Sequence, residues 1–290
     1  MPELPEVEVV RQGLNEHITG RNILELKAYH SRAIRHIAGG EAQLQAALIG
    51  RRISAVNRRG KFLWLSLENA NQPLKTTVIV HLGMSGQMLV KNNEPQGVPT
   101  HTHLRIRVLF SDNSELWFVD QRTFGYWDIS TLEMVHGREV PARIRHIAPD
   151  LMEKCVDLDT IAARIKHKDI EIKRILLNQE IVSGIGNIYA DEMLWRARVH
   201  PQQRASRLSI KRIIELLQAG RDVMTSALRE GGTSFDSQYV NVNGQSGYFS
   251  RSLHAYGQTG LPCQRCGQVL IRLHVAGRSS HLCPNCQRRH

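Results

Sequence analysis

The chain has 290 residues, 41% of them hydrophobic, and a formal charge of +11 from 38 Lys and Arg against 27 Asp and Glu. That length allows about two domains with ordinary cores, and no stretch approaches the roughly 18 uninterrupted apolar residues that a membrane span needs. The basic residues are spread through Arg51-Arg52, Arg58-Arg59-Gly60-Lys61, Lys166-His167-Lys168, Lys173-Arg174 and Lys211-Arg212, which disfavours a single disordered arm and points to a folded surface for a polyanion, with nucleic acid the leading candidate.

The N-terminus reads Met1-Pro2-Glu3-Leu4-Pro5-Glu6. Initiator methionine is commonly removed before so small a residue, which would make Pro2 a free secondary amine. An α-amino group titrates near pH 8, against about 10.4 for lysine, so part of it is unprotonated at neutral pH and can attack an aldehyde or hemiacetal carbon to form an iminium. Glu3 and Glu6 are three apart and share a face if a helix starts here, which suits proton transfer beside the amine. The same hexapeptide also fits a plain helix start, where proline costs no hydrogen bond. Acidic residues and the lack of a basic leader argue against a secretory signal and for the cytoplasm.

Apolar residues at Val7, Val10, Leu14 and Ile18 predict a helix over residues 2–19. Six β-like runs follow, at 23–28, 53–56, 61–67, 77–82, 104–110 and 115–119. In the fifth, Leu104, Ile106, Val108 and Phe110 alternate with Arg105, Arg107 and Leu109, the period of a half-buried strand. Residues 92–103 are polar and read as a long loop. The N-terminal half is thus expected to be a β-sandwich or flattened barrel flanked by helices. Pro141 and Pro149 break the pattern, and a boundary is expected near 140–150.

Beyond it, residues 159–165, 172–179, 188–197 and 209–228 have helical periodicity, with Ser209 as N-cap and Gly231 as stop of the last. Residues 231–260 are rich in Gly, Ser and Asn and read as a long functional loop. Cys263-Gln264-Arg265-Cys266 and Cys283-Pro284-Asn285-Cys286 then form two CxxC pairs with sixteen residues between them. Four thiolates at this spacing suit one tetrahedral zinc with no open position, a structural metal rather than a catalytic one. A pair of disulfides or free thiols is the alternative, which the specific paired spacing and the lack of a secretory signal disfavour. Cys155 has no partner motif and reads as a small buried hydrophobe.

Together these pieces resemble the formamidopyrimidine-DNA glycosylases of bacterial base-excision repair. The resemblance runs through residues 1–7 (MPELPEV), 59–61 (RGK), 81–86 (HLGMSG), 120–125 (DQRTFG), 184–192 (GIGNIYADE), 243–249 (NGQSGYF), Tyr256-Gly257 and the cysteine module with Gly277-Arg278 before it. It implies an α+β multidomain fold: an N-terminal β-sandwich catalytic domain over 1–140, a helical domain with a helix–two-turn–helix motif over 150–235, a lesion-recognition loop region over 236–260 and a zinc finger over 261–290. It also implies a monomer that acts on double-stranded DNA containing oxidised bases.

By this resemblance Pro2 is the nucleophile, Glu3 handles sugar-ring and elimination protons, and Lys61 serves near the lesion and its phosphate, with Glu6 a supporting carboxylate. A lone lysine at a strand start is otherwise usually a solvated charge. His81, Lys173, Asn187, Tyr256 and Arg278 correspond to phosphate contacts. The turn at Gly184–Asn187 would offer the DNA backbone the unpaired N–H groups of a helix N-terminus. Met84, Arg122 and Phe124 correspond to the residues that fill the space left by an extruded nucleotide, the guanidinium facing the orphaned cytosine. The flanking glycines Gly83, Gly86 and Gly125 favour exposed turns over core for these residues. Thr123 departs from a position that is often basic, at the expected loss of one contact. A related branch, the endonuclease VIII type, prefers oxidised pyrimidines. Leu4, the Arg122/Phe124 pair and the long 231–250 loop favour oxidised purines. A non-catalytic zinc-containing DNA-binding protein would explain the charge and the cysteines but not Pro2, Glu3 and Lys61.

Overall fold

The computed structural model describes residues 2–91, 101–135, 137–154, 156–232 and 252–289. Most of the 92–103 loop, the 233–251 part of the glycine-rich stretch, the 243–249 motif, Cys155 and Met1 lie outside these residues. The described residues divide into two units.

The first unit begins with Pro2 and resumes at Glu6 within helix α1 (Leu4–Ile18), then runs to His146. It contains β1 (Ile23–Ala28), α2 (Gly40–Leu48), β2 (Arg52–Arg59), β3 (Phe62–Asn69), β4 (Gln72–His81), β5 (Gly86–Lys91), β6 (Leu104–Phe110), β7 (Glu115–Asp120), β8 (Tyr126–Val135) and β9 (Arg138–Pro141). Two antiparallel sheets result, of strand order β1-β6-β7-β5 and β2-β3-β4-β8-β9. Their inner faces and the apolar stripes of α1 and α2 share one core, with Leu14, Ile18, Leu44, Leu63, Val80, Ile106, Phe118 and Trp127 all buried. The alternation in β6 is realised residue by residue, Leu104, Ile106, Val108 and Phe110 buried and the intervening side chains half-exposed. Each such apolar side chain contributes about 1.5–3 kcal/mol relative to exposure. This is the β-sandwich flanked by helices that the patterning predicts.

The second unit comprises Glu3–Pro5, residues 147–232 and the described part of residues 248–290. Its helices are α3 (Leu158–Lys166), α4 (Ile172–Leu176), α5 (Asn187–Arg196) and α6 (Ile210–Arg229). Ser209 caps α6, its hydroxyl accepting from the Arg212 amide at 3.2 Å, an arrangement worth about 1 kcal/mol. Gly231 leaves the helix with φ +77°, so both ends are set as the sequence indicates. The helix expected over 172–179 is only five residues long, because Asn178 and Gln179 turn the chain: the Asn178 carbonyl takes the Ile181 amide, and Gln179 Oε1 the Gly184 amide. The core gathers Leu4, Ile165, Ile175, Ile185, Tyr189, Met193, Leu217 and Met224. A small hairpin, β10 (Ile271–Val275) with β11 (Arg278–Leu282), completes the cysteine module.

Candidate active site and nucleic-acid interface

Glu3 is buried, and its carboxylate sits at the N-terminus of α5. Oε2 accepts from the Gly186 amide at 2.6 Å and the Tyr189 amide at 3.2 Å, and Oε1 accepts from the Ile188 amide at 2.8 Å. The partial positive charge of a helix start and its unpaired N–H groups make this a site for an anion. Of the amides that this turn was expected to offer a phosphate, those of Gly186, Ile188 and Tyr189 are engaged by the chain's own carboxylate. Gly186 is what permits it, since a Cβ there would stand 2.2 Å from Glu3 Cδ. Beside it, the Leu4 amide donates to the Gly184 carbonyl at 3.0 Å. Gly186→Ala is expected to expel the Glu3 carboxylate, lowering stability by about 1–3 kcal/mol and activity along with it. Paired melting and excision assays check this, and a variant with unchanged melting and rate would contradict the assignment.

In the first unit Pro2 is buried and precedes α1, and Glu6 is buried in the first turn of α1. Lys61 lies in the two-residue turn between β2 and β3, after Gly60 at φ +55°, a turn geometry that favours glycine. Arg58 steadies the turn, donating to the Gly60 carbonyl at 2.9 Å and to Glu8 at 2.8 Å. Lys61 is only 7% exposed, so it is not a solvated surface charge. Its charge is felt at His81, at the end of β4. Burial first, then Lys61 and Arg35, push that imidazole down from 6.5 to about 4. His81 is thus neutral at physiological pH, its Nδ1 accepting from the Gly83 amide at 3.2 Å. With Nδ1 accepting, the neutral ring carries its proton on Nε2, which is left as a donor.

Two turns of the first unit carry the expected space-filling residues. Met84 is 39% and Phe124 45% exposed, so neither is core. Arg122 is exposed too, its Nη1 3.8 Å from Met84 Sδ. Thr123 between Arg122 and Phe124 is buried and holds φ +54°. A β-branched residue there costs on the order of 1–2 kcal/mol. Its side chain is buried in the turn and is not presented at the surface.

Lys173 corrects an expectation. It is wholly buried, and Nζ donates to Asp191 Oδ1 at 2.6 Å and to the Ser279 carbonyl at 2.9 Å. Burial pushes its pKa down against the opposing pull of Asp191. It is an internal support and not an exposed phosphate contact. Asn187 Nδ2 donates to the same Ser279 carbonyl at 2.9 Å. Both thereby fix the residue next to Arg278, which is exposed at the start of β11. The intervening two-residue turn has Ala276 at φ +53° and Gly277 at +73°. Tyr256 is half-buried, its ring edge-on to His281 at 4.9 Å. Burial, and then the charge of Glu3, push its phenol up.

Sequence reasoning missed the carboxylates that hold this part together. Asp191 also accepts from Ser280 Oγ, the His281 amide and His281 Nδ1, each at 2.9 Å. Glu192 accepts from the amides of His254, Ala255 and Tyr256 at 3.0, 2.8 and 2.8 Å. The available signal was two adjacent acids inside the apolar helix Ile188–Trp195, where a buried charge needs a partner.

The four cysteine Sγ atoms lie within 4.8 Å of one another, Cys266 and Cys283 at 3.4 Å, and none is in a disulfide. Tetrahedral zinc at about 2.3 Å from each sulfur requires sulfurs about 3.8 Å apart. Cys263, Cys266, Cys283 and Cys286 fit one structural zinc.

Comparisons with known proteins agree with this geometry. Residues 1–127 match the formamidopyrimidine-DNA glycosylase N-terminal domain, 147–238 its H2TH domain, and 260–289 a zinc finger found in FPG and IleRS. The chain is 58% identical to a formamidopyrimidine-DNA glycosylase of Corynebacterium efficiens, over 99% of both chains. It is 52% identical to one of Mycolicibacterium vanbaalenii, over 100% of this chain and 99% of the other. Solved structures similar to it include MutM in complex with DNA containing carbocyclic 8-oxo-G and Lactococcus lactis Fpg with DNA containing an abasic site. Each has TM-score 0.83 and 30% identity, covering 99% of this chain and 100% of the other. The chain belongs to the formamidopyrimidine-DNA glycosylase family.

Proposed function

We propose that the protein is a bifunctional glycosylase and abasic-site lyase that excises oxidised purines, such as 8-oxoguanine and formamidopyrimidines, from duplex DNA in base-excision repair. The observation that carries this reading is the Glu3 carboxylate, cradled by three backbone amides one residue from the Pro2 amine. Pro2 nitrogen attacks C1′, the glycosidic bond breaks, and the base leaves with its electron pair. Opening of the sugar ring gives O4′ a proton and leaves an iminium between Pro2 and C1′. The cation accepts the electrons released when a proton leaves C2′, and the C3′–O bond breaks; a second elimination breaks the C5′–O bond. Glu3 is the group placed to move protons at O4′ and C2′. Lys61 and His81 act on the lesion's phosphate, the first by charge and the second by a neutral N–H. Arg278 and Tyr256 position the flanking backbone, contacts that carry little sequence information. Asn187 helps hold the hairpin that presents Arg278. Met84, Arg122 and Phe124 occupy the vacated stack. The four regions 1–140, 150–235, 236–260 and 261–290 divide this work into catalysis, backbone grip, lesion reading and zinc-supported hairpin. The setting is a bacterial cytoplasm, with a monomer on the nucleoid.

A second reading, for oxidised pyrimidines, has one observation in its favour: a similar structure is a complex between Lactococcus lactis Fpg and DNA containing an oxidised pyrimidine. Borohydride trapping separates the two, because it reduces an iminium to a stable amine. On duplex DNA with 8-oxoguanine opposite cytosine, a covalent band mapping to Pro2 is expected. A band with thymine glycol alone would move the protein to the pyrimidine branch. Failure to trap with either lesion or with an abasic site would leave a DNA-binding protein without this chemistry.

A further inference from the structure

The two turns that carry Met84 and Arg122–Phe124 are fastened to each other beneath the surface. Asp120, at the end of β7, is fully buried. Its Oδ1 accepts from Ser85 Oγ at 2.5 Å, and Oδ2 accepts from the Gly125 amide at 2.7 Å. Ser85 Oγ in turn accepts from the Arg122 amide at 3.0 Å, which also lies 3.2 Å from Asp120 Oδ1. One carboxylate and one hydroxyl thus reach the Met84 turn and both ends of the Arg122–Phe124 turn. The backbones touch as well, since a Cβ on Gly83 would stand 2.4 Å from the Gly125 nitrogen. From outside, Arg35 donates to the Phe124 and Gly125 carbonyls, each at 3.0 Å. The strained Thr123 is the kind of backbone that survives only where its surroundings fix it.

We propose that Asp120 and Ser85 are positioning residues that join the two turns into one preformed wedge, so that Met84, Arg122 and Phe124 enter the base stack together. This rests on the glycosylase reading above. Extrusion of a paired base costs a few kcal/mol, and a wedge that must first order itself returns less of that cost. The carboxylate is an acceptor for two backbone amides and one hydroxyl, and an asparagine could not accept at both of its terminal atoms.

The test compares single-turnover excision of 8-oxoguanine opposite cytosine in duplex DNA with strand cleavage at a preformed abasic site in single-stranded DNA, where there is no pair to open. Asp120→Asn is expected to slow the first about tenfold or more and the second by less than about twofold. Added to Met84→Ala, it should cost little further, because both changes disable one wedge, whereas an indirect structural effect would multiply with it. Ser85→Ala repeats the experiment with a milder change should Asp120→Asn melt at the assay temperature. Unchanged duplex excision, equal losses on both substrates, or multiplicative losses in the double variant would overturn the proposal. A wild-type protein inert on both substrates would instead overturn the glycosylase reading itself.

Discussion

Pro2→Gly is expected to lower excision by at least about a hundredfold while leaving the fold intact. The variant keeps an N-terminal amine, but a primary one. A secondary amine that condenses with C1′ has no N–H left to lose, so its iminium stays cationic at any pH and the electron sink is permanent. The primary amine forms an imine that must be protonated before elimination can proceed. Residual activity should therefore fall as pH rises, which the wild-type chemistry has no reason to do at that step. Pro2 is buried ahead of α1, but Glu3 and Leu4 anchor the N-terminus through their own hydrogen bonds, so melting should fall only modestly, by about 1 kcal/mol, and the fold should persist. Single-turnover rates across pH decide the matter, and wild-type rates in Pro2→Gly would remove Pro2 from the role of nucleophile.

The second large effect is expected from Cys283→Ser. Cys283 is fully buried within the four-sulfur cluster, and a hydroxyl cannot replace a thiolate toward zinc. Because a ligand set of this kind exists only when the segment is folded, losing the metal removes folding energy from the module. The hairpin β10–β11 is then left to contacts such as its polar anchors to Asp191, the Lys173 and Asn187 bonds to Ser279 and the packing of Tyr256 on His281. Arg278 would no longer be presented in one place, and DNA affinity should drop about tenfold or more, about 1.4 kcal/mol at the least. Zinc content by elemental analysis, measured beside binding to lesion-containing duplex, checks this. Full affinity after confirmed metal loss would show that the cluster does not support the DNA interface.

What was legible in the sequence was local. The alternation in β6, the Ser209 cap and the paired cysteines each depend on residues within about a turn of one another or on a fixed spacing, and each is found in place. What escaped was set by distance or by weak pattern. β5 opens on Gly86 and Gln87 and has only three apolar residues, Met88 to Val90, and the far half of β8 is largely exposed, so neither shows a sustained apolar pattern. Helix α2 has just two buried apolar residues, Leu44 and Leu48. Glu3 and Gly186 meet across 183 residues, so no local rule could tell that the glycine makes room for a carboxylate. Lys173 looked like a surface cation because its partner Asp191 lies on a different helix, and burial of a lysine follows only when that partner is known. Asp120 sat inside a motif whose neighbours Arg122 and Phe124 drew the reading outward.

The arrangement of the wedge also bears on how such a surface can change over time. Met84, Arg122 and Phe124 project from turns whose rigidity resides below them, in Asp120, Ser85 and the close approach of Gly83 to Gly125. Exchanging an exposed tip leaves those bonds alone, and such exchanges typically alter stability by no more than about 0.5 kcal/mol. The fold therefore places little restraint on the exposed tips, and much on the frame that holds them. On the proposed wedge, contacts to the opposite base could therefore be altered by exchanging the tips alone, with the frame unaltered.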